Sequence, residues 1–220
     1  MIDHILFDLD GTLADTADDL ANALNSIRLK HGLTSLPNHI VRPTVSLGAN
    51  AMITLAFDLE KGNTGFESIR DEFLNYYRAN IAIKTRMFDG VENLLLTLEN
   101  ENIPWGIVTN KPTWLTEPLL EAMSLNKRAS CVISGDTLKQ RKPHPAPILH
   151  ACKLMQSNPM TTIYIGDAQR DIEAGHRAGT KTLIALYGYI NVDDNPADWK
   201  ADGMVSSPVE IYDKLSAFCD

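Results

Sequence analysis

The sequence is short of cysteine, of long apolar runs and of basic charge, and each shortage excludes something. Cys131, Cys152 and Cys219 are the only three cysteines in 220 residues. An odd number without metal-like pairing predicts buried or incidental thiols in a reducing compartment rather than a disulfide scaffold. The longest apolar runs, such as Val91–Leu98, are broken by Glu92, Asn93 and Thr97, too short and polar to span a bilayer. Lys and Arg number 20 against 28 Asp and Glu, a net charge of −8. Gripping a phosphate backbone takes clustered cations, so no nucleic-acid partner is expected. A small anionic substrate stays allowed, because charges in a site can oppose the global field. Met1-Ile2-Asp3-His4 enters an apolar stretch without the basic flank and long apolar segment of a secretory signal, which predicts a cytoplasmic protein. Repeats and low-complexity tracts are lacking, and the six histidines, His4, His31, His39, His144, His150 and His176, show no metal-ligand spacing.

What is present is a globular composition, 44% hydrophobic and 22% charged, enough for one large domain or a core with an accessory module. Short β-branched and aliphatic segments alternate with stretches of helical spacing, the signature of a parallel sheet with crossover helices. Strands are expected at His4–Asp8, Trp105–Asn110, Cys131–Ser134, Thr162–Asp167, Lys181–Leu186 and Gly203–Val205. The interval from Asp10 to Phe88 breaks the alternation. Asp18–Lys30, Asn50–Leu59 and Phe66–Ala79 carry apolar residues at helical spacing, with no convincing strand between them. The expected architecture is therefore an α/β core, residues 1–14 and 84–220, with a helical module, 15–83, inserted after the first strand. Its hinges fall near Ala14–Thr16 and Ile81–Met87.

The chemistry concentrates at the strand ends. In Ile5-Leu6-Phe7-Asp8-Leu9-Asp10-Gly11-Thr12 an apolar strand stops at two acids spaced i and i+2. In extended backbone both carboxylates project to one side, and Gly11 lets the chain turn away. Ligands of open parallel sheets sit beyond the carboxyl ends of the strands. Asp8 and Asp10 could simply end the strand and cap a helix. Yet two like charges held close repel unless a cation or a shared proton relieves them, and such oxygen ligands suit Mg²⁺. Trp105-Gly106-Ile107-Val108-Thr109-Asn110 is a second strand, ending in a hydroxyl and an amide that could meet a phosphate, and Lys111-Pro112 follows it into an expected helix. Lys142 stands in Arg141-Lys142-Pro143-His144-Pro145, where prolines restrict the backbone. Ile163-Tyr164-Ile165-Gly166-Asp167 ends in another acid, and Asp171 follows four residues later.

Together, Asp8-Leu9-Asp10-Gly11-Thr12, Thr109-Asn110, Lys142 and Gly166-Asp167 with Asp171 resemble the four motifs of the haloacid dehalogenase superfamily, in that family's order. The resemblance implies a Rossmann-like core and a helical cap that closes over small substrates. It implies that Asp8 is the nucleophile that becomes an aspartyl phosphate. Asp10 would be acid and then base, its pKa raised by its surroundings, and Thr109 and Lys142 would hold the phosphoryl oxygens. Mg²⁺ would bind Asp8, Asp167 and the backbone carbonyl of Asp10, with Asp171 supporting the metal or Lys142. Asp10 favours phosphate chemistry over dehalogenation, since a departing halide needs no proton. A sugar phosphomutase uses the same residues, but Thr12 after Gly11 resembles the phosphatases. A receiver module, also phosphorylated on Asp, is about half this length and lacks the insertion.

Asp8–Asn25 resembles bacterial phosphoglycolate phosphatases, whereas the cap loop Arg42–Ala49, with Ser46 and Leu47 before Gly48, departs from their pattern. That loop, Tyr187-Gly188-Tyr189-Ile190, Asp194-Asn195-Pro196 and Trp199 look more like the branch acting on N-acetylmuramic acid 6-phosphate. Arg42, Ser46 and Asn110 join Thr109 and Lys142 as expected substrate contacts. Arg42 could equally pair with a nearby acid and Ser46 cap a helix, and Trp114 and Tyr187 read as packing residues. The expected partner is a small phosphorylated metabolite, and the sequence leaves monomer or homodimer open.

Overall fold

The computed structural model describes residues 2–216 and 218. In chain order, β1 (His4–Phe7) leads to a short β2 (Ala14–Asp15). Four helices follow, α1 (Ala17–Lys30), α2 (Asn38–Val41), α3 (Ala49–Phe57) and α4 (Phe66–Ala79), and then β3 (Arg86–Met87). The rest alternates: α5 (Val91–Asn100), β4 (Trp105–Val108), α6 (Thr113–Ala122), β5 (Val132–Ile133), α7 (Ala146–Met155), β6 (Thr162–Gly166), α8 (Gln169–Ala178), β7 (Lys181–Ala185), β8 (Gly203–Val205) and α9 (Val209–Ser216).

Six strands form one sheet in the order β5-β4-β1-β6-β7-β8, every pair parallel. The chain builds outward on one side of β1, through β4 to β5, then returns to build β6, β7 and β8 on the other. Such a reversal opens a crevice at the carboxyl ends of the central strands. The strand pattern of period two decides which face each residue covers. Ile5, Phe7, Ile107, Ile163 and Ile165 pack with α5, α6 and α9 through Val91, Leu95, Leu119 and Ile211. Leu6, Val108 and Tyr164 pack on the opposite face with α7 and α8 through Ile148, Ala151 and Ala174. Cys131 and Cys152 are free and buried, and burial pushes the Cys131 thiol up to about 12. Cys219 lies outside the described residues.

The expected strands run slightly past the ladders. The strands end at Phe7, Val108 and Gly166, and Asp8 N and Thr109 N make one last bond each to the neighbouring strand, to Ile165 O at 2.8 Å and Ile133 O at 2.9 Å, so Asp8, Thr109 and Asp167 stand at the very edge of the sheet. The β2–β3 ribbon was not foreseen. It is antiparallel, pairs Ala14 with Met87 and Asp15 with Arg86, and is too short to leave an alternating pattern in the sequence. It joins the two chain segments that enter and leave the four inserted helices. Buried Asp19 on α1 reinforces the junction: its carboxylate accepts from Lys84 N at 3.0 Å, Thr85 N at 2.8 Å and Thr85 Oγ1 at 2.7 Å.

The inserted helices share an apolar core of their own. Leu20, Leu24 and Ile27 of α1, Met52 and Ile53 of α3 and Phe66, Phe73, Leu74 and Tyr77 of α4 cluster together, and Leu115 and Tyr189 join them from the α/β portion. No helix among the described residues is long and apolar enough to cross a membrane. Phe73 is fully buried in the helical cluster, so Phe73→Ala should lower unfolding free energy by about 3–5 kcal/mol. Urea denaturation followed by circular dichroism checks this; a loss near zero would mean the helical cluster does not share in cooperative folding.

Candidate active site

The strand ends converge on one buried ammonium. Lys142 Nζ lies 2.8 Å from Asp8 Oδ1 and 2.8 Å from Asp171 Oδ1. It also donates to the Val108 carbonyl at 2.9 Å and to the Tyr164 hydroxyl at 2.6 Å. The Tyr164 hydroxyl in turn donates to Val108 O at 2.8 Å. Asp8 shares the parity of Leu6, so it faces the side of the sheet that carries Tyr164 and α8. Asn110 fixes the lysine by its main chain: its amide donates to Lys142 O at 3.0 Å and accepts from Lys142 N at 3.1 Å.

Asp8, Asp167 and Asp171 are all buried, and one carboxylate oxygen from each lies within 4.8 Å of the others. Asp171 is fully engaged, since besides Lys142 it accepts from Ala168 N at 3.1 Å. Asp167 Oδ2 accepts from Ser46 Oγ at 2.6 Å and Tyr189 N at 2.8 Å, but Asp167 Oδ1 has no hydrogen-bond partner. Asp8 Oδ1 faces the ammonium outside hydrogen-bonding geometry and likewise accepts no hydrogen bond. Three acids around one ammonium leave excess negative charge in a dry place, which costs several kcal/mol per unpaired ion. Hard oxygen donors with orphaned lone pairs suit a divalent cation of the Mg²⁺ type, so the residues fit the metal that the sequence implied. A methyl group on Gly11, whose φ is +88°, would collide with the Asp167 carboxylate, so the bare backbone lets the two segments close on this spot.

Asp10 does not share that cluster. The expectation that its carboxylate and that of Asp8 project together fails, because the strand has ended and Leu9–Ala14 curls into a turn, with Leu13 N and Ala14 N bonded to Leu9 O. Asp10 Oδ1 instead accepts from Lys111 Nζ at 2.8 Å and Thr16 Oγ1 at 2.6 Å. Lys111, buried and lying 4.7 Å from the ring centre of Tyr77 on α4, escaped the sequence reading because one lysine after a strand carries no signal. Asp10 raises the Lys111 pKa, against the lowering effect of burial. Thr109 is buried, and its Oγ1 accepts from Lys111 N at 3.1 Å, which leaves its hydroxyl proton to donate.

The remaining expected contacts divide. Ser46 comes over from the inserted helices to Asp167. Arg42 lies outside the cavity lining; its guanidinium is forked on Asp15 at 2.9 and 3.0 Å and stacked 4.9 Å from the Tyr189 ring centre. A bidentate pair of this kind occupies the donors that a substrate would need. Asn110 spends its side chain on Lys142, so it positions that lysine. Tyr189 was read only as part of a resemblance. Its hydroxyl accepts from Thr16 N at 2.6 Å and Ala17 N at 3.0 Å, capping α1, and lies 2.9 Å from Asp15 Oδ1.

Above the cluster lies a cavity of about 470 Å³, lined by Asp8, Asp10, Thr109 and Lys111 from the sheet side and by Ser46, Phe73 and Tyr77 from the helices. Trp114, read as packing, also borders it. Arg170 borders it too, with its buried Nε unpartnered.

Burial, then the charges of Asp8 and Asp171, pushes the Asp167 pKa up to about 7 from 3.8. A carboxyl raised in the fold favours folding while protonated. That contribution is complete below about pH 4 and is lost as pH rises through 7. A divalent cation takes the place of the proton, so the gain in thermal midpoint on adding Mg²⁺ should be larger at pH 8 than at pH 5. At 100 times the dissociation constant the gain corresponds to about 2.7 kcal/mol. Differential scanning fluorimetry at both pH values checks it, and equal gains would exclude displacement of a carboxylate proton.

Comparison with known proteins agrees with this arrangement. Residues 5–185 match the family model described as haloacid dehalogenase-like hydrolase. An N-acetylmuramic acid 6-phosphate phosphatase of Pseudomonas aeruginosa is 42% identical over 217 residues, 98% of this chain and 96% of that protein. A phosphoglycolate phosphatase of Xanthomonas campestris is 39% identical over 209 residues, 95% and 94% of the two chains. The crystal structure of a predicted phosphoglycolate phosphatase from Haemophilus somnus superposes with a TM-score of 0.86 at 30% identity, covering 97% of each chain. By sequence match, by fold and by the strand-end cluster, the chain belongs to the haloacid dehalogenase-like hydrolases.

Proposed function

We propose that the protein is a Mg²⁺-dependent phosphomonoesterase that acts on a small phosphorylated metabolite through an aspartyl phosphate. The observation that carries this reading is the separation of two carboxylates on one strand end. Asp8 is held by Lys142 beside the orphaned oxygen of Asp167, and Asp10 is held apart by Lys111 and Thr16 under the cavity. Nucleophile and proton carrier need different partners, and here they have them.

Asp8, Asp167 and the Asp10 carbonyl would hold Mg²⁺, with Asp171 steadying Lys142. The ion supplies positive charge that lets an anionic nucleophile approach an anionic phosphate. An Asp8 carboxylate oxygen attacks phosphorus while the bond to the ester oxygen breaks, and Asp10 gives that oxygen its proton. Water then attacks the same phosphorus, Asp10 takes its proton, and the bond to Asp8 breaks to release phosphate. Thr109, Lys142 and the Arg170 guanidinium bind the equatorial oxygens, on which charge accumulates. Residues 1–14 and 84–220 act as the catalytic core and 15–83 as the cap, which Ser46 fastens to Asp167 when closed.

N-acetylmuramic acid 6-phosphate and 2-phosphoglycolate are the leading substrates, because relatives matched along nearly the whole chain are named for them. The cavity, at about 470 Å³, has room for a phosphorylated sugar, which favours the first.

Phosphate release should follow Mg²⁺ and stop with chelator, for a panel of both esters and hexose phosphates. Isomer formation without free phosphate would make the chain a mutase. Asp8→Asn should abolish turnover, and full activity would remove the nucleophile. Asp10→Asn should lower kcat by about 10²–10⁴-fold, most for poor leaving groups; a small uniform loss would remove its acid role.

A further inference from the structure

The cavity carries more positive charge than the chemistry at its base consumes. Lys142 pairs with Asp8 and Asp171 and serves the phosphoryl group, and Lys111 pairs with Asp10. Arg170 acts electrostatically on Asp8, beside the reacting phosphate. Two further guanidiniums, Arg70 and Arg141, line the same chamber. Arg70 lies on α4 one turn before Phe73 and Leu74, which with Tyr77 form that helix's cavity face, so it extends the face beyond its apolar part. Its own partners are poor: Glu67 at 3.6 Å and Asp71 at 3.5 Å, both exposed. Arg141 takes part in no ion pair among the described residues, and it reaches the chamber from the α/β side. The one further acid of the lining, Asp136, accepts from Thr113 N at 2.8 Å and Thr113 Oγ1 at 2.5 Å, and Arg141 acts on it electrostatically without forming an ion pair.

We infer that Arg70 and Arg141 form a second anion subsite, which recognises a carboxylate on the part of the substrate that leaves with the ester oxygen. The inference rests on the phosphatase reading above and narrows it to phosphate esters that are also carboxylic acids. A planar guanidinium offers two parallel donors at the spacing of carboxylate oxygens, and it is always charged. One arginine comes from the cap helix and the other from the loop that carries Lys142. A carboxylate held by both would join the two sides of the cavity, whereas an ester without one leaves both guanidiniums without an anionic ligand. Both enzymes named among the relatives act, by those names, on acids of this kind.

The test pairs esters with and without the carboxylate: 2-phosphoglycolate against ethyl phosphate, where a methyl replaces it, and N-acetylmuramic acid 6-phosphate against N-acetylglucosamine 6-phosphate, which lacks the whole lactyl ether that bears it. The unmodified protein should prefer the acid of each pair by about tenfold or more in kcat/KM, the scale of one charge-assisted hydrogen bond. In Arg70→Gln and in Arg141→Gln that ratio should fall toward one, chiefly through KM, with thermal midpoints within the range of surface substitutions. Arg70→Lys, which keeps charge and loses the fork, should recover only part of it. A ratio near one in the unmodified protein, or a ratio that neither glutamine variant changes, would overturn the subsite. If no ester is hydrolysed, p-nitrophenyl phosphate included, the phosphatase reading has failed on its own. Calorimetric titration of the Mg²⁺-loaded protein with each pair then decides the subsite without turnover: selective binding of the acids that both variants lose supports it, and equal binding rejects it.

Discussion

The Lys142 ammonium is the interaction on which the rest of the site depends. It is buried, and it meets carboxylates from two different segments, one after β1 and one in α8, together with a carbonyl at the end of β4. Three strand ends are thereby referred to one point. The attraction is not free stability, because desolvating an ammonium and several carboxylates costs as much as their pairing returns. What it supplies is position. Asp8 is offered to the cavity, and Asp171 is engaged on both oxygens, by Lys142 and by Ala168 N. The charge left over belongs to Asp167, whose pKa is raised to about 7 by burial first and then by the charges of Asp8 and Asp171.

Cap and core meet through the same residues that set up the chemistry. Ser46 donates to Asp167, the Tyr189 main chain donates to the same oxygen, and the Tyr189 hydroxyl caps the first cap helix beside Asp15 and Arg42. On the other side of the cavity, Lys111 touches Asp10 and lies over the ring of Tyr77. Moving the helices away would therefore disturb Asp167 and Asp10 at once. The hinge ribbon is short, only two residue pairs, and the Asp19 carboxylate ties its second strand back to α1. The ribbon is thus small, and the contacts around the cavity combine these polar bonds with the apolar packing of Leu115 and Tyr189 against the helices.

Much of this was legible in the sequence because it is local. The alternation of strand and helix from Trp105 to Val205 announces a parallel sheet with crossover helices, and acids or hydroxyls at the ends of apolar strands mark the edge where the candidate site lies. Asp8, Thr109, Lys142, Asp167 and Asp171 are brought together as expected. What the sequence concealed depends on chain segments distant from one another. Lys111 becomes significant only when α4 lays Tyr77 over it, and Arg42 is diverted to Asp15 by a hinge whose strands are two residues long. Asn110 borders the cavity as expected, but that its amide also clamps the Lys142 backbone could not be read from the sequence. Spacing of i and i+2 placed Asp10 beside Asp8 in extended geometry, but the strand ends one residue too early for that geometry to hold.

That early ending is also what makes the two acids chemically distinct. Had the ladder continued to Asp10, both carboxylates would have faced one cation at similar distance, and neither could carry a proton for the leaving group while the other stayed anionic. The turn that closes on Leu9 O instead gives Asp10 its own lysine and its own hydroxyl. Its geometry needs a residue with positive φ and no side chain at Gly11, since any Cβ there would strike Asp167. The same glycine therefore separates the acids from each other and admits the third acid to the site of the first. A larger residue could not do both, because the space that it would fill is taken by the Asp167 carboxylate itself.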